Sequence, residues 1–180
     1  MKLVDHPDGG YRFLPGISPY SCGVVAKPGF ENAHVTFSSP PPYRAGFDRV
    51  AEYLAQCDRP KAALCGVELR SPVPYSFAGF SDFNAEYAAI LKQWGLFVDG
   101  VNPVARTNVA PVVAAPKEPV LYGFSFARPA PKGTPLTGVV AGGGELPEGL
   151  LQADAIVARG DLSPAGLREK TRFVLQLMRQ

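Results

Sequence analysis

Two stretches of this chain space their apolar residues three and four apart, and a single alternating run lies between them. From Gly46 to Cys57 the residues Phe47, Val50, Ala51 and Leu54 fall on one helical stripe; from Ser81 to Trp94 the residues Phe83, Tyr87, Ile90, Leu91 and Trp94 do the same. Leu64 to Arg70, between them, alternates with Cys65, Val67 and Leu69 on one face and Glu68 and Arg70 on the other, the period of a half-buried strand. A helix with one apolar stripe must lay it on another element, and two such helices flanking one strand can share one side of a sheet. The pattern predicts an α/β (α+β) fold, a mixed sheet with two helices packed on one face. Ser81 is the expected N-cap of the second helix and Gly95 its stop.

The remaining strands are read from β-branched and aromatic runs between Pro- and Gly-rich connections. Tyr11 to Leu14 is an edge strand. Ser21 to Ala26 and Ala33 to Ser38, separated by Lys27-Pro28-Gly29, read as a hairpin. Thr107 to Ala114 and Val120 to Ala127 follow the second helix, with the turn at Ala115 to Pro119; Val120, Tyr122, Phe124 and Phe126 are expected on one face. After the prolines at 129 to 135, Leu136 to Ala141 reads as another strand and Gly142 to Gly149 as a flexible turn. Ser163-Pro164 then opens a helix whose stripe of Leu167, Thr171, Val174, Leu175 and Met178 runs to the end of the chain and calls for a partner surface. This divides the chain into a domain over 1–130 and an extension over 131–180.

Composition excludes several function classes. Lys and Arg number 18 against 16 Asp and Glu in 180 residues, a net charge of +2, so there is no broad basic face and no expectation of nucleic acid. No apolar run is long enough to span a bilayer and none follows a basic start, so a soluble, cytoplasmic protein without a membrane partner is expected. Cys22, Cys57 and Cys65 are odd in number and lack CxxC spacing, and read as reduced core residues. With two histidines, His6 and His34, and no carboxylates at ligand spacing, no metal and no cofactor are expected; His34 reads as a satisfied strand residue. Gly142 to Gly144 lacks the G-K-[ST] ending of a phosphate loop.

Three segments at the junctions of this order carry a resemblance. Ile17-Ser18-Pro19-Tyr20-Ser21 is similar to a G-P-Y segment, Phe83-Asn84-Ala85-Glu86-Tyr87 to an F-x-x-V-N-x-x-Y helix, and Pro103-Val104-Ala105-Arg106-Thr107-Asn108-Val109 to a P-x-R-[ST]-x-V signature. Together, over roughly residues 11–128, they resemble the RidA (Rid/YjgF) family of enamine/imine deaminases, whose fold is chorismate-mutase-like; residues 131–180 resemble the first half of a second such unit. The resemblance implies a homotrimer with clefts between subunits, in which Arg106 grips the carboxylate of a 2-imino acid, water adds to the imine carbon, and ammonia leaves a 2-oxo acid. It makes Arg106 and Tyr20 the catalytic candidates, with Ser38 and Tyr122 joining them in binding a small carboxylate-bearing imine or oxo acid. Three departures stand out, the first being that Pro103 lies one residue further from the arginine than in the signature. The family's S-G-Q is replaced by Ser38-Ser39-Pro40, and Val120 to Phe124 carries no counterpart of the glutamate that helps position water in the family.

The chemistry stands without the name, because a planar guanidinium matches a carboxylate through two parallel hydrogen bonds. Three other readings remain open at this stage. Arg106 could be a surface residue paired with Asp99 or Glu118; the protein could be a carboxylate-binding module without catalysis; or the helix after Ser163 could mark a structural subunit of a larger complex.

Overall fold

A computed structural model describes residues 2–147 and 149–179. Glu148, in the expected Gly142 to Gly149 turn, and Gln180, at the end of the last expected helix, lie outside the described residues, as does Met1. The strands are β1 (Val4–Asp5), β2 (Tyr11–Leu14), β3 (Gly23–Ala26), β4 (Phe30–Thr36), β5 (Leu64–Arg70), β6 (Ala105–Val109), β7 (Val120–Pro129) and β8 (Gly138–Val140). The helices are α1 (Tyr43–Gln56), α2 (Phe77–Gln93) and α3 (Pro164–Leu177).

The main sheet has the order β4-β7-β5-β6. It is mixed, since β5 and β6 run parallel while β7 is antiparallel to both β4 and β5. Both long helices lie on one face of it. Phe47, Val50 and Leu54 of α1 and Phe83, Tyr87 and Leu91 of α2 join Val67, Leu69, Leu121, Phe124 and Phe126 of the sheet in one buried cluster. Each fully buried side chain of this size contributes on the order of 1.5–3 kcal/mol, so the two stripes bind the helices firmly to the sheet.

A second sheet, β1-β2-β3-β8, covers part of the opposite face, where Tyr11, Phe13 and Val24 meet Cys65 and Ala127. This corrects the expected hairpin. The Lys27 to Phe30 turn forms, with Phe30 N–H donating to Lys27 O at 2.9 Å, but β3 pairs with β2 and β8 while β4 pairs with β7. The turn is therefore a corner between two layers. In this arrangement Tyr11 and Phe13 are fully buried against Cys65 and Ala127 of the main sheet.

Two β-bulges correct the expected faces. Leu64 pairs with Phe126 and Gly66 with Ser125, so Cys65 is an extra residue that leaves Leu64 and Val67 on the helix side and itself on the other. Glu68 pairs with Gly123 and Leu69 with Leu121, so Tyr122 is the extra residue on β7 and parts from Phe124 and Phe126. Simple period-two counting cannot see either bulge.

The helix starts also differ. α1 begins at Tyr43, three residues before the expected Gly46, because Tyr43 is buried against Phe83 and donates its hydroxyl to Glu86 Oε2 at 2.6 Å. Ser76, not Ser81, caps α2: its Oγ accepts from Gly79 N–H at 3.1 Å, while Ser81 Oγ donates to Phe77 O inside the helix. Thr107 to Ala114 is shorter than expected, β6 ending at Val109.

In the extension, Ser163 caps α3 as read, with Pro164 in the first turn. β8 pairs with β3, and a side chain at Gly143 would touch Val174, Leu177 and Met178. The expected stripe divides: that end of α3 lies on the Gly143 segment, while Leu167 and Leu175 are about half exposed. Of the cysteines, Cys65 is buried, Cys22 partly so, and Cys57 is exposed, so the core reading does not hold for Cys57.

Candidate active site

Arg106 is the second residue of β6, paired with Val67 and therefore aimed at the helix side of the sheet. Only 3% of it is exposed. The rings of Tyr87, Tyr20, Phe80 and Phe83 surround its guanidinium, with Cζ 4.7, 5.1, 5.7 and 5.9 Å from their centroids. Among the described residues its side chain makes one hydrogen bond, from Nη2 to Asn84 Oδ1 at 2.7 Å. No carboxylate among the described residues forms an ion pair with it, which excludes the surface pairing with Asp99 or Glu118.

A buried guanidinium without a counter-charge is costly, and aromatic faces offset only part of that cost. Burial pulls the Arg106 pKa below the usual arginine value, against the opposing influence of the Tyr87, Tyr20 and Tyr75 phenols. Arg106 Nη1 and the hydroxyls of Tyr75 and Tyr87 are all buried without a hydrogen-bond partner in the protein. Buried polar atoms in folded proteins are almost always satisfied. Arg106 Nη1 and the two tyrosine hydroxyls are all able to donate, the chemistry of a cradle for an anion with several acceptor oxygens.

The local sequence explains the cradle. Tyr20 is carried in by Ser21, whose N–H donates to Val104 O and whose Oγ donates to Pro103 O, both at 3.0 Å, fixing the segment to the start of β6. Asn102 Oδ1 accepts from Val104 N–H and holds the approach to Arg106. Phe80, Phe83, Asn84 and Tyr87 come from successive turns of α2, three and four residues apart, and so face one way. Tyr75 stacks on Phe83 from the connection before α2.

Of the residues singled out from the sequence, Arg106 and Tyr20 are brought together. Ser38 is exposed in a groove with Arg49, Glu52 and Tyr53, away from Arg106. Tyr122 lies on the opposite face, its ring beneath the Arg70 guanidinium at 4.2 Å. Tyr75, Phe80 and Tyr87 escaped attention because they read as core or loop. A tyrosine in place of leucine on an apolar stripe was the available signal, since its hydroxyl must find a partner once buried.

Tyr20 also lines a cavity of about 350 Å³ on its other side, walled by Cys22, Val140, Gly143, Leu177 and Met178 among others. It is mostly apolar, and the end of α3 forms one wall. Among the described residues no group of three His, Cys, Asp or Glu could hold a metal, and no helix is long and apolar enough to cross a membrane.

Residues 3–180 match the family described as 2-aminomuconate deaminase CnbZ. This chain belongs to the CnbZ family of RidA-like deaminases. A 2-amino-5-chloromuconate deaminase of Comamonas testosteroni is 44% identical over 172 residues, covering 94% of this chain and 68% of that protein. A solved structure of NMB1025, a YjgF-family protein of Neisseria meningitidis, covers 69% of this chain and 99% of its own at 18% identity, with a TM-score of 0.35. The CnbZ match includes β8 and α3, so the extension is part of what the family shares.

Proposed function

We infer that this CnbZ-family chain hydrolyses a 2-amino dienedioate of the 2-aminomuconate type, and that Arg106 holds the carboxylate next to the amine-bearing carbon. The observation that carries the reading is the buried Arg106 guanidinium, which has no ion-pair partner among the described residues and whose Nη1, like the hydroxyls of Tyr75 and Tyr87, has no hydrogen-bond partner in the protein. A carboxylate there gains a charge-assisted hydrogen bond from Nη1 and neutral ones from the phenols, and replaces an unpaired buried charge by a paired one. The flat walls made by Tyr20, Phe80 and Phe83 suit a planar conjugated ligand. The names of the matched family and of the Comamonas relative supply the substrate class, a six-carbon conjugated diacid bearing an amine.

The reaction is hydrolytic. Protonation of the diene carbon turns the enamine into an imine, water adds to the imine carbon, and the carbinolamine expels ammonia to leave a 2-oxo acid. One C–N bond breaks, one C–O bond forms, and no electrons are gained or lost. The anchor contributes by fixing the imine carbon in one place, which is where much of the gain in such a reaction arises.

The test is ammonia release from 2-aminomuconate by the purified chain, with the product followed as the 2-oxo diacid. Turnover with stoichiometric ammonia is expected. Binding of 2-oxo diacids that depends on Arg106, without any ammonia released, would replace this reading by that of a carboxylate-binding module.

A further inference from the structure

The main sheet carries a second group of polar side chains on the face away from the helices, and the Arg106 site does not use it. Glu68 projects to that face, since its neighbours Val67 and Leu69 belong to the helix-side core. His34 of β4 pairs with Ser125 of β7, which lies on the same side. Strand β7 runs between β4 and β5, so residues on those two strands are ordinarily held apart by a β7 side chain. At this level β7 offers Gly123, the partner of Glu68, and the imidazole and carboxylate meet across it with Nε2 2.8 Å from Oε1. A Cβ at Gly123 would sit 3.4 Å from His34 Nε2 and 2.8 Å from Val35 O, so the glycine is what leaves room for the contact.

The other Glu68 oxygen, Oε2, lies 3.7 Å from Arg70 Nη2, and Arg70 rests on the Tyr122 ring. The pair is accessible, with side-chain exposures of 49% for His34 and 32% for Glu68, and a contact so placed adds little to stability. Beside Glu68 opens a cleft of about 60 Å³ lined by Gly66, Thr107 and Ser125, with Val139 and Val140 along one side. That volume fits one or two waters, each needing two to four polar partners, and a carboxylate with two hydroxyl side chains meets the requirement.

We propose that Glu68 and His34 are the proton-transfer pair of the deaminase, with Glu68 directing the water held in the cleft beside it. This rests on the deaminase reading above. The imidazolium gives its proton to the diene carbon as enamine becomes imine. Glu68 takes a proton from the attacking water and passes it to the amine, and as the carbinolamine collapses to ketone and ammonia its hydroxyl proton returns to His34. Protons taken and given balance, with one water consumed for each ammonia released.

The sheet separates this pair from the Arg106 guanidinium of the same chain, which points among the α2 side chains. The pair therefore serves the ligand anchored by Arg106 of an adjoining copy. The titratable or charged groups facing His34 and Glu68 on this side of the sheet are Arg70 on β5 and Tyr122 on β7.

The experiment combines kinetics with mixing of variants. Glu68→Gln keeps the side-chain size and can still bond His34; it is expected to lower kcat on 2-aminomuconate by about 100-fold, the scale of a lost general acid–base group, with little change in KM. One limb of the pH–rate profile should disappear with it, and Glu68→Asp should restore the limb and part of the rate. Oligomers assembled from Glu68→Gln and Arg106→Met chains, each strongly impaired alone, should be more active than either, because some sites then draw both intact residues from different copies. Unchanged kcat and pH profile in Glu68→Gln would overturn the pair's role. A monomeric wild type, or mixed oligomers no more active than either variant, would overturn its service to a neighbouring copy. A wild type that releases no ammonia would overturn the deaminase reading itself, and the pair's role with it.

Discussion

Arg106→Met is expected to lower kcat/KM on 2-aminomuconate by about 10²- to 10³-fold while raising the melting temperature of the ligand-free protein. The two effects have one cause. In the free protein the guanidinium is buried and bonded to Asn84, with no counter-charge among the described residues, so an apolar side chain of similar length removes a desolvation cost of about 1–3 kcal/mol. For a chain of this size each kcal/mol moves Tm by about 2–4 °C, which makes a rise of several degrees the expected result. With ligand bound the account reverses: truncating one partner of a buried charge pair costs about 2–5 kcal/mol. Steady-state kinetics and thermal unfolding on the same preparations read both. A lower Tm with kcat/KM unchanged would make Arg106 a structural residue.

The second large effect is expected from Asn84→Asp. Asn84 Oδ1 already accepts from Arg106 Nη2 at 2.7 Å, so a carboxylate of the same shape gives the guanidinium an internal counter-charge. The substrate carboxylate then competes with a partner that is always present. KM should rise by about 10- to 100-fold, the equivalent of roughly 1.4–2.8 kcal/mol of lost binding, and the ligand-free Tm should rise as it does in Arg106→Met. Asn84→Leu, which supplies no charge, should leave Tm without that gain. If Asn84→Asp bound substrate as the wild type does, the anchor would lie elsewhere.

Much of the architecture could be read from the chain because it depends on period. The stripes of α1 and α2 and the run at β5 placed two helices and a strand, and the helix side of the sheet followed from them. What escaped reading depends on local insertions and on partners distant in sequence. Cys65 and Tyr122 each add one residue to a strand and turn the following residues over, and no composition signal marks either bulge. The turn at Lys27 to Phe30 was visible; that it joins two layers was not, because the surface calling for it belongs to Tyr11 and Phe13, and their cover to Cys65 and Ala127. Ser81 was the expected cap of α2, but Ser76 caps it a turn earlier, and the added turn brings Phe80 beside the Arg106 guanidinium.

The site divides in the same way. Arg106 and Tyr20 stood within recognisable segments and meet in space. Ser38 and Tyr122 were carried by likeness of position alone, and the structure places them apart from Arg106. His34 read as an ordinary strand residue; its contact with Glu68 is made across an intervening strand and through a glycine, an arrangement that becomes visible only when β4, β7 and β5 are laid side by side.

The most direct test of the account is a crystal structure of the protein bound to the 2-oxo diacid product. A product carboxylate within about 3 Å of Arg106 Nη1 and of the Tyr87 or Tyr75 hydroxyl, with hydrogen-bond geometry, is the expected result. A carboxylate bound elsewhere, with Arg106 still enclosed by its four rings and bonded to Asn84 alone, would contradict it.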